Sequence, residues 1–125
     1  MGEQTTISDV LQSEHRRIDE DLDRFRRGMD SGRVDPGPFE AAAEALHRHI
    51  YLEEDILFPQ VEARGMTDPT EVMAQEHGEI CHFLDIIHDL IQTGAGPQRI
   101  RAAFVALHRL LEEHNLKEEQ VLYPS

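Results

Sequence analysis

The pattern H-x-x-x-E-E-x-x-L-[FY]-P occurs twice in this chain, from His49 to Pro59 and from His114 to Pro124, at an offset of 65 residues. A His and a Glu four residues apart on a helix point the same way, one turn apart. Each copy therefore offers an imidazole and a carboxylate to a single object. That object is most simply a metal ion.

The pattern needs helices, and the rest of the chain supplies them. Leu11, Ile18, Leu22, Phe25 and Met29 share one side of a first helix from about Ser8 to Met29. The breaker cluster from Asp30 to Pro38 ends it. A second helix is expected from Pro38 or Phe39, with Ala42, Ala45, Leu46, Leu52, Ile56 and Leu57 inward, to be kinked or ended by Pro59. Gly65 and Met66 mark a turn, and Asp68-Pro69-Thr70-Glu71 reads as a capped helix start. The third helix carries Met73, Ile80, Leu84, Ile87 and Ile91 to Gly94-Ala95-Gly96, and Pro97 opens a fourth that runs to the last residues. No segment alternates with a strand period. Four long helices on short links predict an all-α fold, an up-down-up-down antiparallel four-helix bundle in one domain spanning residues 1–125.

Each motif is preceded by a matched element: Glu14-His15 with Ile18 in the first helix, and Glu76-His77 with Ile80 in the third. The bundle is thus expected to be two similar helix pairs about a pseudo-twofold axis. In an antiparallel hairpin, residues equidistant from the turn lie at one height. The midpoint of His15 and His49 is Gly32, that of Glu53 and His77 is Gly65, and His77 and His114 bracket Ala95. All these groups should meet at one level, inside the apolar stripes.

Taken singly, a core His is usually structural and a helical His–Glu pair is usually a surface ion pair. Two copies in register, with two more His at the same level, reverse that reading, because burying such groups without partners costs several kcal/mol each. The expected ligands are His15, His49, Glu53, His77, His114 and Glu118. His15 and His49 would serve one ion, His77 and His114 the other, or a swapped arrangement, with Glu53 and Glu118 bridging. Imidazole with carboxylate suits two iron ions, with zinc or manganese as alternatives. Glu54 and Glu119 point further around their helices and read as solvated charges. His47, His82 and His108 read as surface residues, and His88 as a core or tunnel-lining group, too far along the axis to join the site.

The formal net charge of −13 argues against nucleic acid and anionic membranes as partners. The single Cys81 excludes an intrachain disulfide. With no long apolar run and no secretion signal, the expected location is the cytosol. Met1 to Thr6 fits the short myristoylation pattern, but acidic Glu3 and the lack of a basic patch argue against its use.

The four segments Glu14–Ile18, His49–Pro59, Glu76–Ile80 and His114–Pro124 together resemble the hemerythrin-like, or HHE cation-binding, domains. The resemblance covers nearly the whole chain. It implies a four-helix bundle with a non-haem di-iron centre that takes dioxygen or related small oxidants, and it places the family's ligands on the same six residues. Two features depart from the oxygen carriers of that family. Their second His on the third helix is replaced by Cys81, and their last carboxylate lies five residues after the final His, whereas Glu118 follows His114 by four. A more open metal argues against simple reversible carriage. Cys81 could be a thiolate ligand, a redox-active neighbour of the ligands or a small apolar filler, with the last two favoured. Asp19, at the matching place on the first helix, is positioned either to accept a hydrogen bond from a ligand imidazole or to complete the ligand set.

Three functions follow as expectations. The first is binding of dioxygen or a related oxidant for sensing, scavenging or carriage. The second is enzymatic consumption of peroxide or nitric oxide at the same centre. The third is metal storage without oxygen chemistry.

Overall fold

The computed structural model describes residues 7–65 and 67–122, so the myristoylation pattern, Met66 and the last two residues of the second motif, Tyr123 and Pro124, lie outside it. Among these residues there are five α-helices, α1 (Ile7–Asp30), α2 (Pro36–Leu52), α3 (Phe58–Glu62), α4 (Thr67–Gln92) and α5 (Pro97–Lys117); one π-helical turn, Glu53–Leu57, joins α2 to α3, and a second, Glu118–Leu122, follows α5. Helix α2, the first π turn and α3 form one continuous rod. The architecture is therefore the four-helix bundle expected from the sequence, with α1 packed on α2, α4 on α5, and the two pairs closing through α1–α5 and α2–α4. Among the described residues no helix is long and apolar enough to cross a membrane.

Inward positions follow one rule. The buried residues of α1 are Leu11, His15, Ile18, Leu22, Phe25 and Met29, alternating steps of four and three. Those of α5 are Ile100, Phe104, Leu107, Leu111 and His114, followed by Glu118 on the second π turn, in the same rhythm. This is the heptad seam of helices that supercoil gently about each other. In α4 the seam runs through Met73, His77, Ile80, Leu84 and Ile87. His88, expected in the core because eleven residues nearly close three straight α-turns, is exposed. The supercoil, with its 3.5-residue repeat, carries the seam to Ile87 and leaves His88 beside it.

Helix starts and stops differ from the expectation by one to three residues. Asp35 caps α2, its carboxylate accepting from the Gly37 amide at 3.1 Å, so the helix opens at Pro36 rather than Pro38. Helix α4 already includes Thr67, which places Asp68 inside its first turn. Thr70 donates instead to Glu62 at 2.7 Å, tying α3 to α4. Helices α1 and α4 end on Gly32 (φ +82°) and Gly94 (φ +77°), with Arg33 and Ala95 amides reaching back to the Gly28 and Leu90 carbonyls at 2.9 Å. That left-handed closure favours glycine.

The larger deviation is at Pro59. The rod neither stops nor breaks there. The Phe58 amide bonds to the Glu53 carbonyl, five residues back, and the chain passes the proline in a wider turn. The extra residue resets the inward face: Leu57, Phe58 and Val61 are buried, and Ile56, expected inward beside Glu53, is 41% exposed. Two apolar clusters result. The larger lies around the mutually tilted rings of Phe25, Phe39 and Phe104, and the smaller contains Leu11, Leu57, Phe58, Val61 and Met73. Between them, at one level, sits a polar layer.

Candidate metal centre

The polar layer is built from all four rods. Helix α1 contributes His15, α2 His49, α4 His77 and α5 His114, all at seam positions, and each π turn contributes its first residue, Glu53 or Glu118. All six side chains are nine-tenths or more buried, the two carboxylates completely. They form two groups, His15–His49–Glu53–Glu118 and Glu53–His77–His114–Glu118, whose donor atoms lie within 4.8 Å of one another in each. Both glutamates belong to both groups.

Each carboxylate turns one oxygen to each imidazole pair. Glu53 Oε2 is 3.4 Å from His49 Nε2, and its Oε1 is 2.9 Å from His77 Nε2. Glu118 Oε1 is 3.2 Å from His15 Nε2, and its Oε2 is 3.1 Å from His114 Nε2. Within the pairs the rings nearly touch, His15 and His49 with centroids 4.5 Å apart, His77 and His114 at 4.8 Å. Phe58 lies flat against His77, with 5.6 Å between centroids and 6° between planes.

Every imidazole also has an outer carboxylate on its other nitrogen. Nδ1 of His15 lies 3.2 Å from Glu119, that of His49 3.2 Å from Glu14, that of His77 2.7 Å from Glu54 and that of His114 2.8 Å from Glu76. Glu76 is itself held by Lys117 at 2.6 Å. A carboxylate accepts, so each Nδ1 donates its proton outward and each Nε2 turns inward. Glu54 and Glu119, expected to be solvated charges, are thus part of the assembly although 40% and 47% exposed. Glu14 and Glu76 stood in the E-H elements without an assigned role.

With the Nδ1 protons directed outward, the inward nitrogens carry lone pairs. His15 and His49 then oppose Nε2 to Nε2 at 2.9 Å, a separation that demands a positive charge at or near the gap. His77 Nε2 and His114 Nε2 are likewise buried, facing Glu53 Oε1 at 2.9 Å and Glu118 Oε2 at 3.1 Å. Where no cation is bound, protons fill this role. Burial opposes charge on His49 and His77, but hydrogen bonds to Glu118 and Glu53 outweigh it and push both up to about 10. His114 is raised in the same way, its burial outweighed by Glu118. Burial would raise Glu118, yet its bonds to Glu53 and to the ring of imidazoles hold it well below the usual carboxylate range. Such a donor set fits a divalent cation on each side of the carboxylate pair.

Cys81 and Asp19 lie outside both groups. Cys81 is half-buried, and burial with the nearby charges of Asp85 and Glu54 raises its thiol, which disfavours a thiolate. Asp19 lies in a groove between α1 and α5 beside Glu112, Glu113 and Glu119. Partial burial raises its carboxyl even though His15 opposes the shift. His47 and His82 are exposed, and His108 pairs with Glu112 at 3.0 Å on the surface, as expected.

A four-helix bundle with buried imidazoles on both sides of two common carboxylates defines a cation-binding helical protein. The model of the hemerythrin HHE cation binding domain matches residues 6–125, and the chain belongs to that family. Family and site together support iron binding. The chain is 34% identical over 95 residues to the iron-sulfur cluster repair protein YtfE of Yersinia pestis (strain Pestoides F) and to that of Yersinia pseudotuberculosis (serotype O:1b, strain IP 31758), covering 67% of this chain and 42% of each relative. It therefore spans less than half the length of these relatives. No solved structure matches significantly.

Proposed function

We propose that the chain is a non-haem di-iron protein that binds dioxygen or a related small oxidant. His15 and His49 would hold one iron, His77 and His114 the other, and Glu53 and Glu118 both. The carrying observation is that the two ligand groups overlap in those two fully buried carboxylates. Bound iron would supply the electrons that a small oxidant accepts. The chain's own residues do the rest. Outer glutamates orient the imidazoles, Phe58 backs His77, and the apolar clusters above and below keep bulk water out. Cys81 fits a neighbour of the centre better than a ligand.

Anaerobic loading with ferrous ion, metal analysis and then exposure to air test the reading. Two irons per chain and a new visible absorption that bleaches on degassing are expected. Rapid loss of added peroxide or nitric oxide instead supports turnover, and two bound metals with no spectral response supports storage. Replacing Cys81 by Ser should leave the spectrum unchanged. The YtfE relatives favour a second reading, a part in iron–sulfur cluster repair, in which the bound iron is donated rather than retained. Transfer of radiolabelled iron from the loaded chain to an apo iron–sulfur protein separates the two.

A further inference from the structure

We propose that Glu54 and Glu119 are positioning residues that couple the two halves of the centre, each fixing an imidazole supplied by the opposite helix pair. The inference rests on the di-iron reading above. Neighbouring side chains on a helix diverge by roughly 100°, so with Glu53 and Glu118 pointing inward their successors point sideways, towards the adjoining rod. Glu54, on the rod of α2, meets His77 of α4 at 2.7 Å, and Glu119, beyond α5, meets His15 of α1 at 3.2 Å. The other two outer bonds stay within a helix pair, Glu14 of α1 with His49 of α2 and Glu76 of α4 with His114 of α5.

Each π turn therefore carries two functions on consecutive residues: a ligand common to both sides and a tether for one imidazole across the pair boundary. A cation that settles Glu53 and Glu118 against His15 and His49 immobilises both π turns. Glu54 is then fixed, and through it the His77 ring. The second cation meets a site already ordered, so loading is cooperative.

Native mass spectrometry during anaerobic ferrous titration reads this directly. The wild-type chain should pass from metal-free to two-iron with little one-iron species. Glu54→Ala or Glu119→Ala should bind the second ion about 10–100-fold more weakly and accumulate the one-iron form, with Glu54→Gln, which keeps an acceptor, falling between. In the metal-free chain the nitrogen resonance of His77 Nδ1 should shift in Glu54→Ala and not in Glu14→Ala. Variants that load both ions with wild-type affinity and no one-iron species overturn the proposal. So does a wild-type chain in which the one-iron species dominates mid-titration. A wild-type chain that takes up no iron overturns the di-iron reading itself, and this inference with it.

Discussion

Glu118 is the residue on which the centre turns, since its two oxygens face opposite imidazole pairs and four histidines and Glu53 surround it. Glu118→Ala should end two-metal loading while leaving a folded bundle. Retention of two metals by elemental analysis would remove the residue from the ligand set. The protons that stand in for metal give a second prediction. His49 and His77 have folded values of about 10 against 6.5 for the free imidazole. Their contribution to the metal-free chain is complete below pH 6.5 and lost as pH rises towards 10. Metal-free melting temperature should therefore fall over that window, whereas metal affinity should rise, because binding expels the same protons. Scanning calorimetry and chelator competition across that range check both signs. At this scale the six central groups were legible because each combines a chemistry with a helical phase. Glu54 and Glu119 were not, because their partners belong to the other helix pair, and a phase computed on one helix names no neighbour.

Among the elements, the π turns carry the unexpected geometry. Pro59 has no amide proton, and in an α-helix its ring would strike the Asp55 carbonyl. The wider turn accommodates it and rotates Leu57 and Phe58 inward, which places Phe58 on the His77 ring. Pro59→Ala permits ordinary α-helical bonding through this stretch. The expected outcome is loss of the π turn in a crystal structure, Ile56 turned inward, and metal binding weakened by about 10-fold or more; an unchanged π turn would show that the proline does not maintain it. The sequence marked the place through Pro59 but suggested a kink or an end, because a uniform α period has no register for an inserted residue. The same uniform period placed His88 inside. What it lacked is the supercoil, which belongs to packed helices and not to one of them.

For the whole molecule, the centre is a polar layer between two apolar ones, and most of the core lies in the larger cluster towards the Gly32 and Gly94 turns. Folding and metal binding should therefore separate. Phe104→Ala removes a ring packed 5.7 Å from Phe25 and should cost about 3–5 kcal/mol in denaturant unfolding while metal content stays at the wild-type level. Loss of metal along with stability would mean that the layers are not independent. The architecture was legible from the midpoints at Gly32, Gly65 and Ala95 because turn position fixes height in any antiparallel hairpin. One property of the assembly concerns the turn at Gly65 (φ +88°), which joins the two helix pairs. A hairpin holding only the first motif would possess Glu54 with no His77 to steer and His15 with no Glu119 to steer it. Its counterpart would have the mirror deficit. Neither is a smaller version of the whole: each is one hand of a clasp, and the peptide link at Gly65 ensures that the two hands are always present in equal number.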